Sequence, residues 1–199
     1  MLKSAIKLTP SDQGRQMALA DFETAEAADG KLYELGRGIV TVTDVPGKPH
    51  LVQFLAIRQQ LLLYQAANAG KLYGVMGGSE CKVLIAASNS ERHPDLAVYT
   101  TPPPNVERDS ELWSVWIPAL VVEIVSPGSS HRDYVEKREE YLQFGIREYW
   151  IVDSGKQEML ALQRSRGQWH EQVVRPPATY RSLELPGFEF NLAAVFAAQ

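Results

Sequence analysis

Asp95, Glu123 and Lys137 are the residues of this chain whose types and order could do chemistry together. Glu123 stands inside the apolar run Leu120 to Val125, with Val or Ile on either side. A lone carboxylate taken out of water there costs several kcal/mol unless something offsets it. Asp95 opens another apolar run in "PDLAVY", and consecutive strands usually lie side by side, so the two acids can meet on adjacent strands. A divalent cation between them would relieve their repulsion and offset the desolvation of Glu123. Mg²⁺ (or Mn²⁺) suits this, because hard ions take oxygen ligands, keep several waters and need few carboxylates. Such an ion polarises a phosphoryl oxygen and activates water, while a lysine ammonium steadies the developing charge. That chemistry is phosphodiester hydrolysis. The structural alternative answers Glu123 with an ion pair to Lys137 or an arginine. It gives Lys137 to Asp133 at i−4 and leaves Asp95 as a turn residue.

The elements that must position these groups follow from periodicity. In a strand alternate residues share a face, so Val121, Glu123 and Val125 point one way and Leu120, Val122 and Ile124 the other. A helix capped by Ser129 or Ser130 runs through Phe144, with Gly145 at its end. Tyr134, Lys137 and Tyr141 form one of its ridges, from which a lysine can reach back to the sheet. "REYWIVD" reads as the next strand, and "EMLALQR" with "QWHEQVV" as a hairpin. Upstream, "KLYELGRGIVTVTDV" reads as a hairpin about Gly36-Arg37-Gly38, and His50 to Asn68 as a largely buried helix. Short strands are expected at Leu72 to Met76 and Cys81 to Ala86, and a surface loop from "TPPPNV" to about Trp116. Thr9-Pro10-Ser11-Asp12 carries the signals of a helix start, which predicts a helix from Thr9 to about Ala28. Leu192 to Ala198 suits a short closing helix. The order is that of an α/β fold with a mixed central sheet.

Composition narrows the function classes. The net charge of −4 offers no global attraction to nucleic acid, and neither half of the chain has a basic excess, so a polyanion would need a local patch or bound cations. Cys81 is the one cysteine, and His50, His93, His131 and His170 lack metal-ligand spacing, which excludes a disulfide framework and a cysteine zinc cage. No segment approaches the apolar length of a membrane span, so a cytoplasmic protein without membrane partners is expected. At 199 residues a single domain is expected over 1–199: an N-terminal helix and hairpin (1–48), a core (49–153), and a C-terminal hairpin and short helix (154–199). The acid-rich helix run "EKREE" reads as a mostly solvated face, and the tryptophans as core or oligomer contacts.

At "YEL" with its glycine hairpin, His50, "PDLAVY", "LVVEIVSP", the Asp133–Lys137–Tyr141 helix and "GIREYWIVD", the sequence resembles the PD-(D/E)XK nuclease superfamily. More closely it resembles the Uma-two family of restriction-endonuclease-like proteins. The resemblance implies a restriction-endonuclease-like core of a helix, three antiparallel strands, a second helix and a fourth strand. It implies Mg²⁺-dependent cleavage of DNA with Asp95 and Glu123 as metal ligands, and a homodimer. The superfamily's lysine normally stands two residues after the glutamate, where this chain has Val125. The family pattern supplies a lysine from the following helix instead, which maps to Lys137. Glu34 and His50 match further family positions, Glu34 as an accessory metal or water ligand and His50 as a site-lining group. The rival class is a module of the same fold that binds nucleic acid, or regulates, without turnover.

Overall fold

The computed structural model describes residues 6–27 and 30–198. In chain order its main elements are β1 (Leu32–Gly36), β2 (Ile39–Thr43), α1 (Lys48–Ala67), β3 (Gly74–Met76), β4 (Val83–Ile85) and β5 (Ser90–Arg92). Then come β6 (Leu96–Tyr99), β7 (Leu120–Ile124), α2 (Lys137–Phe144), β8 (Glu148–Asp153), β9 (Glu158–Ser165), β10 (Gln168–Val174) and α3 (Leu192–Phe196). Six strands form the central sheet in the order β10-β9-β8-β7-β6-β3, and four form a smaller sheet in the order β2-β1-β5-β4. In the central sheet β7 and β8 are parallel, which requires a crossover, and the segment ending in α2 supplies it. The other pairings are antiparallel, so the sheet is mixed.

Alternation along β7 sets up two unlike faces. Leu120, Val122 and Ile124 join Ile57, Leu61 and Tyr64 of α1, Trp150 of β8 and the C-terminal Phe188 and Phe190 in one apolar core. Val121 faces the other way, with Tyr149 and Ile151 of β8 and Tyr141 of α2. Glu123 lies on that second face, under α2.

The hairpin β1–β2 turns through Arg37 and Gly38, both at positive φ, the pattern of a type I′ turn. Gly145 ends α2 in the left-handed conformation with φ 101°, as its place after the last helical turn predicts.

Strand β5 and a helical turn at Leu112–Val115, the latter inside the expected surface loop, lie outside the sequence expectation, and two further features differ from it. The segment after Thr9 is no long helix. Only Pro10–Asp12 and Leu19–Phe22 are helical, and Ala28 lies outside the described residues. Between them the chain runs beside β2: Val40 donates to the Arg15 carbonyl at 2.9 Å, and Gly14 donates to the Val40 carbonyl at 2.8 Å. These long-range ladder bonds replace the local ones a helix would make. The other difference is a π-helical turn, Arg132–Glu136, immediately before α2. Such a turn inserts a residue into the helical ladder and re-aims the side chains around it.

Candidate active site

Glu123 is 3% exposed, and both of its carboxylate oxygens are answered. Lys137 Nζ stands 2.9 Å from Oε2, and the Tyr141 hydroxyl donates to Oε1 at 2.7 Å. Lys137 and Tyr141 are four residues apart on α2, so one helical ridge delivers both groups to the same acid. Burial nonetheless pushes the Glu123 carboxyl up. Lys137 opposes that shift, while Asp95, Asp133 and Glu34 add to it. The direct partner of Glu123 is thus the helix lysine. The family's usual lysine position, Val125, packs instead among the apolar residues of that face.

Lys137 is itself buried and touches three acids. Besides Glu123 it lies 3.3 Å from Glu34 Oε1 and 3.7 Å from Asp133 Oδ1. Desolvation works against its ammonium, but Glu123, Glu34 and Asp133 outweigh it, and its pKa is raised. Glu34 arrives from β1 of the smaller sheet. Its Oε1 accepts the His93 N–H at 3.0 Å, and its Oε2 faces Arg92 at 3.5 Å and Arg132 at 3.6 Å. Burial acts against its charge, yet Lys137, Arg92 and Arg132 together lower its pKa below the usual carboxylate range. Asp133 accepts from Ser129 Oγ at 2.5 Å, and burial raises its carboxyl despite Lys137.

Asp95 sits one residue before β6, where Leu96 is already paired with Val122 of β7. Continuing that register by one step sets Asp95 across from Glu123, as neighbours on one face. Its Oδ2 accepts the Ile124 N–H at 2.7 Å, and its Oδ1 lies 3.1 Å from His50 Nε2 on the first turn of α1. Gly77 makes room for this corner, because a Cβ there would lie 2.4 Å from the Asp95 carbonyl oxygen. Asp95, Glu123, Lys137, Glu34 and His50 are thus linked into one cluster through these contacts.

The donor chemistry fits a hard divalent ion. Around Lys137 and Arg92 stand the carboxylates of Glu34, Asp95, Glu123, Asp133, Glu136 and Glu140, against the cations Arg37, Arg92, Arg132 and Lys137. Negative groups outnumber positive ones, and the partners named above for Asp95 and Glu123 leave each of their oxygens a further lone pair, whereas the Glu34 oxygens each face two groups already. Among the described residues no group of three or more His, Cys, Asp or Glu side chains is arranged to hold a metal. An ion held by Asp95 and Glu123 would have to complete its shell with water, as Mg²⁺ commonly does.

A family model described as "Putative restriction endonuclease", Uma2, matches residues 19–194. The chain belongs to the Uma2 family. A crystal structure titled as a putative nuclease belonging to DUF820, from Anabaena variabilis, is similar to this Uma2 chain with a TM-score of 0.72. It covers 90% of this chain and 97% of its own at 16% identity. At that identity the likeness shows the fold, which is restriction-endonuclease-like. No curated protein matches the sequence.

Sequence reasoning missed several members of this cluster. Arg92, 0% exposed, donates through Nε to Glu140 at 2.7 Å and through Nη2 to Glu136 at 3.3 Å. Its strand, β5, is a three-residue polar stretch with no apolar alternation to reveal it. Glu140 belongs to an acid-rich run whose pattern predicts a solvated face, yet it is 1% exposed and paired with Arg92. The Tyr141 hydroxyl was also missed, although its position four residues after Lys137 was the available signal.

Proposed function

We propose that this Uma2 chain is a divalent-metal-dependent endonuclease that hydrolyses phosphodiester bonds in DNA, acting in the cytoplasm as a single unit over residues 1–199. The observation that carries this reading is the position of Asp95 across from Glu123, one register step beyond the Leu96–Val122 pair, with Lys137 Nζ 2.9 Å from Glu123 Oε2; the ion pair alone is what the structural alternative also predicts. Asp95 and Glu123 would hold Mg²⁺ or Mn²⁺, which when bound polarises the phosphoryl oxygen and lowers the pKa of water. Tyr141 and the Ile124 N–H fix one oxygen of each carboxylate, so both acids are oriented before substrate arrives. Lys137 opposes the upward shift that burial imposes on Glu123, and would place an ammonium where negative charge develops on phosphorus oxygens. Glu34 anchors that ammonium from the smaller sheet, and His50 orients Asp95 from α1. Cutting both strands of a duplex would use two copies, which makes a homodimer part of the reading.

The test is incubation of the purified protein with supercoiled, linear and single-stranded DNA, and with RNA, in Mg²⁺, Mn²⁺ or EDTA. Cleavage with either ion and none in EDTA is expected, with a loss of about 100-fold or more in Asp95→Asn and Glu123→Gln. Absence of cleavage across the whole panel with both ions would overturn the reading.

One observation favours the rival, a module of this fold that binds nucleic acid without turnover. The Lys137 side chain is 3% exposed and already flanked by three carboxylates. DNA binding that needs no metal and is unchanged in Glu123→Gln would support that rival.

A further inference from the structure

Arg132 is the most weakly held cation of the cluster, for its guanidinium makes no hydrogen bond among the described residues. The other cations are committed. Lys137 touches Glu123, Glu34 and Asp133, Arg92 donates to Glu140 and Glu136, and Arg37 donates to Glu139. Arg132 opens the π turn, and its buried Nε stands 3.6 Å from Glu34 Oε2, too far for a hydrogen bond. Arg92 Nη1 approaches the same oxygen at 3.5 Å and is also buried without a hydrogen-bond partner. Glu140 fixes the Arg92 guanidinium through Nε and Nη2, so that fork cannot turn to a ligand. Nothing fixes Arg132 in that way, and its side chain is 18% exposed. We propose that Arg132 binds a phosphate of the DNA strand, next to the phosphate that Lys137 faces. The inference rests on the reading of DNA as substrate and names the group that receives the strand beside the cut.

Charge, position and shape all bear on this role. The carboxylates of the cluster repel a phosphate, and the chain as a whole carries a net charge of −4, so a strand needs a local cation to approach. Glu34 has one negative charge, on which Lys137, Arg92 and Arg132 all draw, so it does not neutralise Arg132. Asp133 also feels Arg132, but it is engaged by Ser129 and Lys137. Glu34 further sets the spacing, since its Oε1 lies 3.3 Å from Lys137 Nζ while its Oε2 faces Arg132. The two cations thus stand one carboxylate's width apart. Successive phosphates of one strand advance about 3.4 Å along the duplex axis, so neighbouring phosphates suit that span. The planar guanidinium fork matches two phosphate oxygens at once, and such a ligand supplies the acceptors that the fork lacks in the protein alone.

The experiment is fluorescence anisotropy of a labelled duplex with the full chain, over about 50 to 200 mM salt. Ca²⁺ replaces Mg²⁺, as a hard ion that also takes oxygen ligands. Arg132→Gln should weaken binding about 10-fold, equally on unrelated sequences, and should make the slope of log affinity against log salt shallower by about 0.9. Arg132→Lys keeps the charge and loses the fork, so it should retain the slope and only part of the affinity. A purely structural arginine predicts instead a lowered urea midpoint with an unchanged slope, and that outcome would overturn the proposal. Cleavage by the wild type with an unchanged slope in Arg132→Gln would sink the phosphate contact and leave the nuclease reading standing. A shallower slope in a chain that never cuts would uphold the contact and count against turnover alone.

Discussion

Helices α1 and α2 cover opposite faces of the same sheet and are patterned in opposite senses. Toward the sheet, α1 presents Ile57, Leu61 and Tyr64, and outward it presents leucines. On the other side, the π turn and α2 bury Asp133, Lys137 and Glu140, while Val135 is 44% exposed. The α1 face is held by removal of apolar area from water, which is non-directional and tolerant of shape changes. The α2 face adds to its own apolar cluster a set of charges that must each find a partner, and a missing partner leaves an uncompensated buried ion. A fold this size can stabilise itself with the first kind of face alone. The second kind is costly to build, and it is where Asp95, Glu123 and Lys137 converge.

The largest effect should come from breaking the charged side at Arg92. Arg92→Met strands Glu140 and removes one of the cations that lower the pKa of Glu34, and should cost about 3–5 kcal/mol in urea unfolding. Adding Glu140→Gln should restore part of that loss, since the two residues share one buried pair. Additive losses would show that the pair contributes no coupling.

Leu61→Ala breaks the apolar side instead. Leu61 is 0% exposed in the main core, and its truncation should cost about 2–5 kcal/mol, according to how far the cavity collapses. No neutralising second substitution can rescue it, because no partner is left charged. That contrast in rescue, more than the size of either loss, separates the two faces. It is read by comparing the same unfolding curves.

Gly36→Ala probes how tightly the charged side is packed. A Cβ at Gly36 would lie 2.3 Å from Arg92 Nη2 and 2.7 Å from its Cζ. The guanidinium is tied to Glu140 and cannot swing clear, so an intermediate loss of about 1–3 kcal/mol is expected. A neutral substitution would mean that the Arg92 network yields.

The two faces were also unequally legible in the sequence. Strand alternation placed Glu123 under a helix, and the ridge through Tyr134, Lys137 and Tyr141 placed the ammonium near it. Both inferences use local periods that tertiary context did not override. Arg92 obeys no such period: its partners at 34, 136 and 140 are remote in sequence and meet it only because the smaller sheet and the helix converge. The π turn was illegible for a related reason, since one extra residue in a helix leaves no mark on composition. The N-terminal segment misled in the other direction. Its start signals at Thr9 to Asp12 are sound, but the Arg15 and Gly14 backbone found partners on β2 instead. Helix α1 was recognised by its apolar content, and that same excess concealed which of its leucines face outward.

The smallest effect tests the comparison within one helix. Leu55 and Leu61 have the same side chain on the same α1, but Leu55 is 52% exposed and Leu61 is 0% exposed. In urea unfolding Leu55→Ser should change stability by no more than about 0.5 kcal/mol, while Leu61→Ala carries its full cavity penalty. A Leu55→Ser loss as large as that of Leu61→Ala would mean that the outward leucines are held as firmly as the inward ones, and that the contrast between the two sides of α1 does not follow exposure.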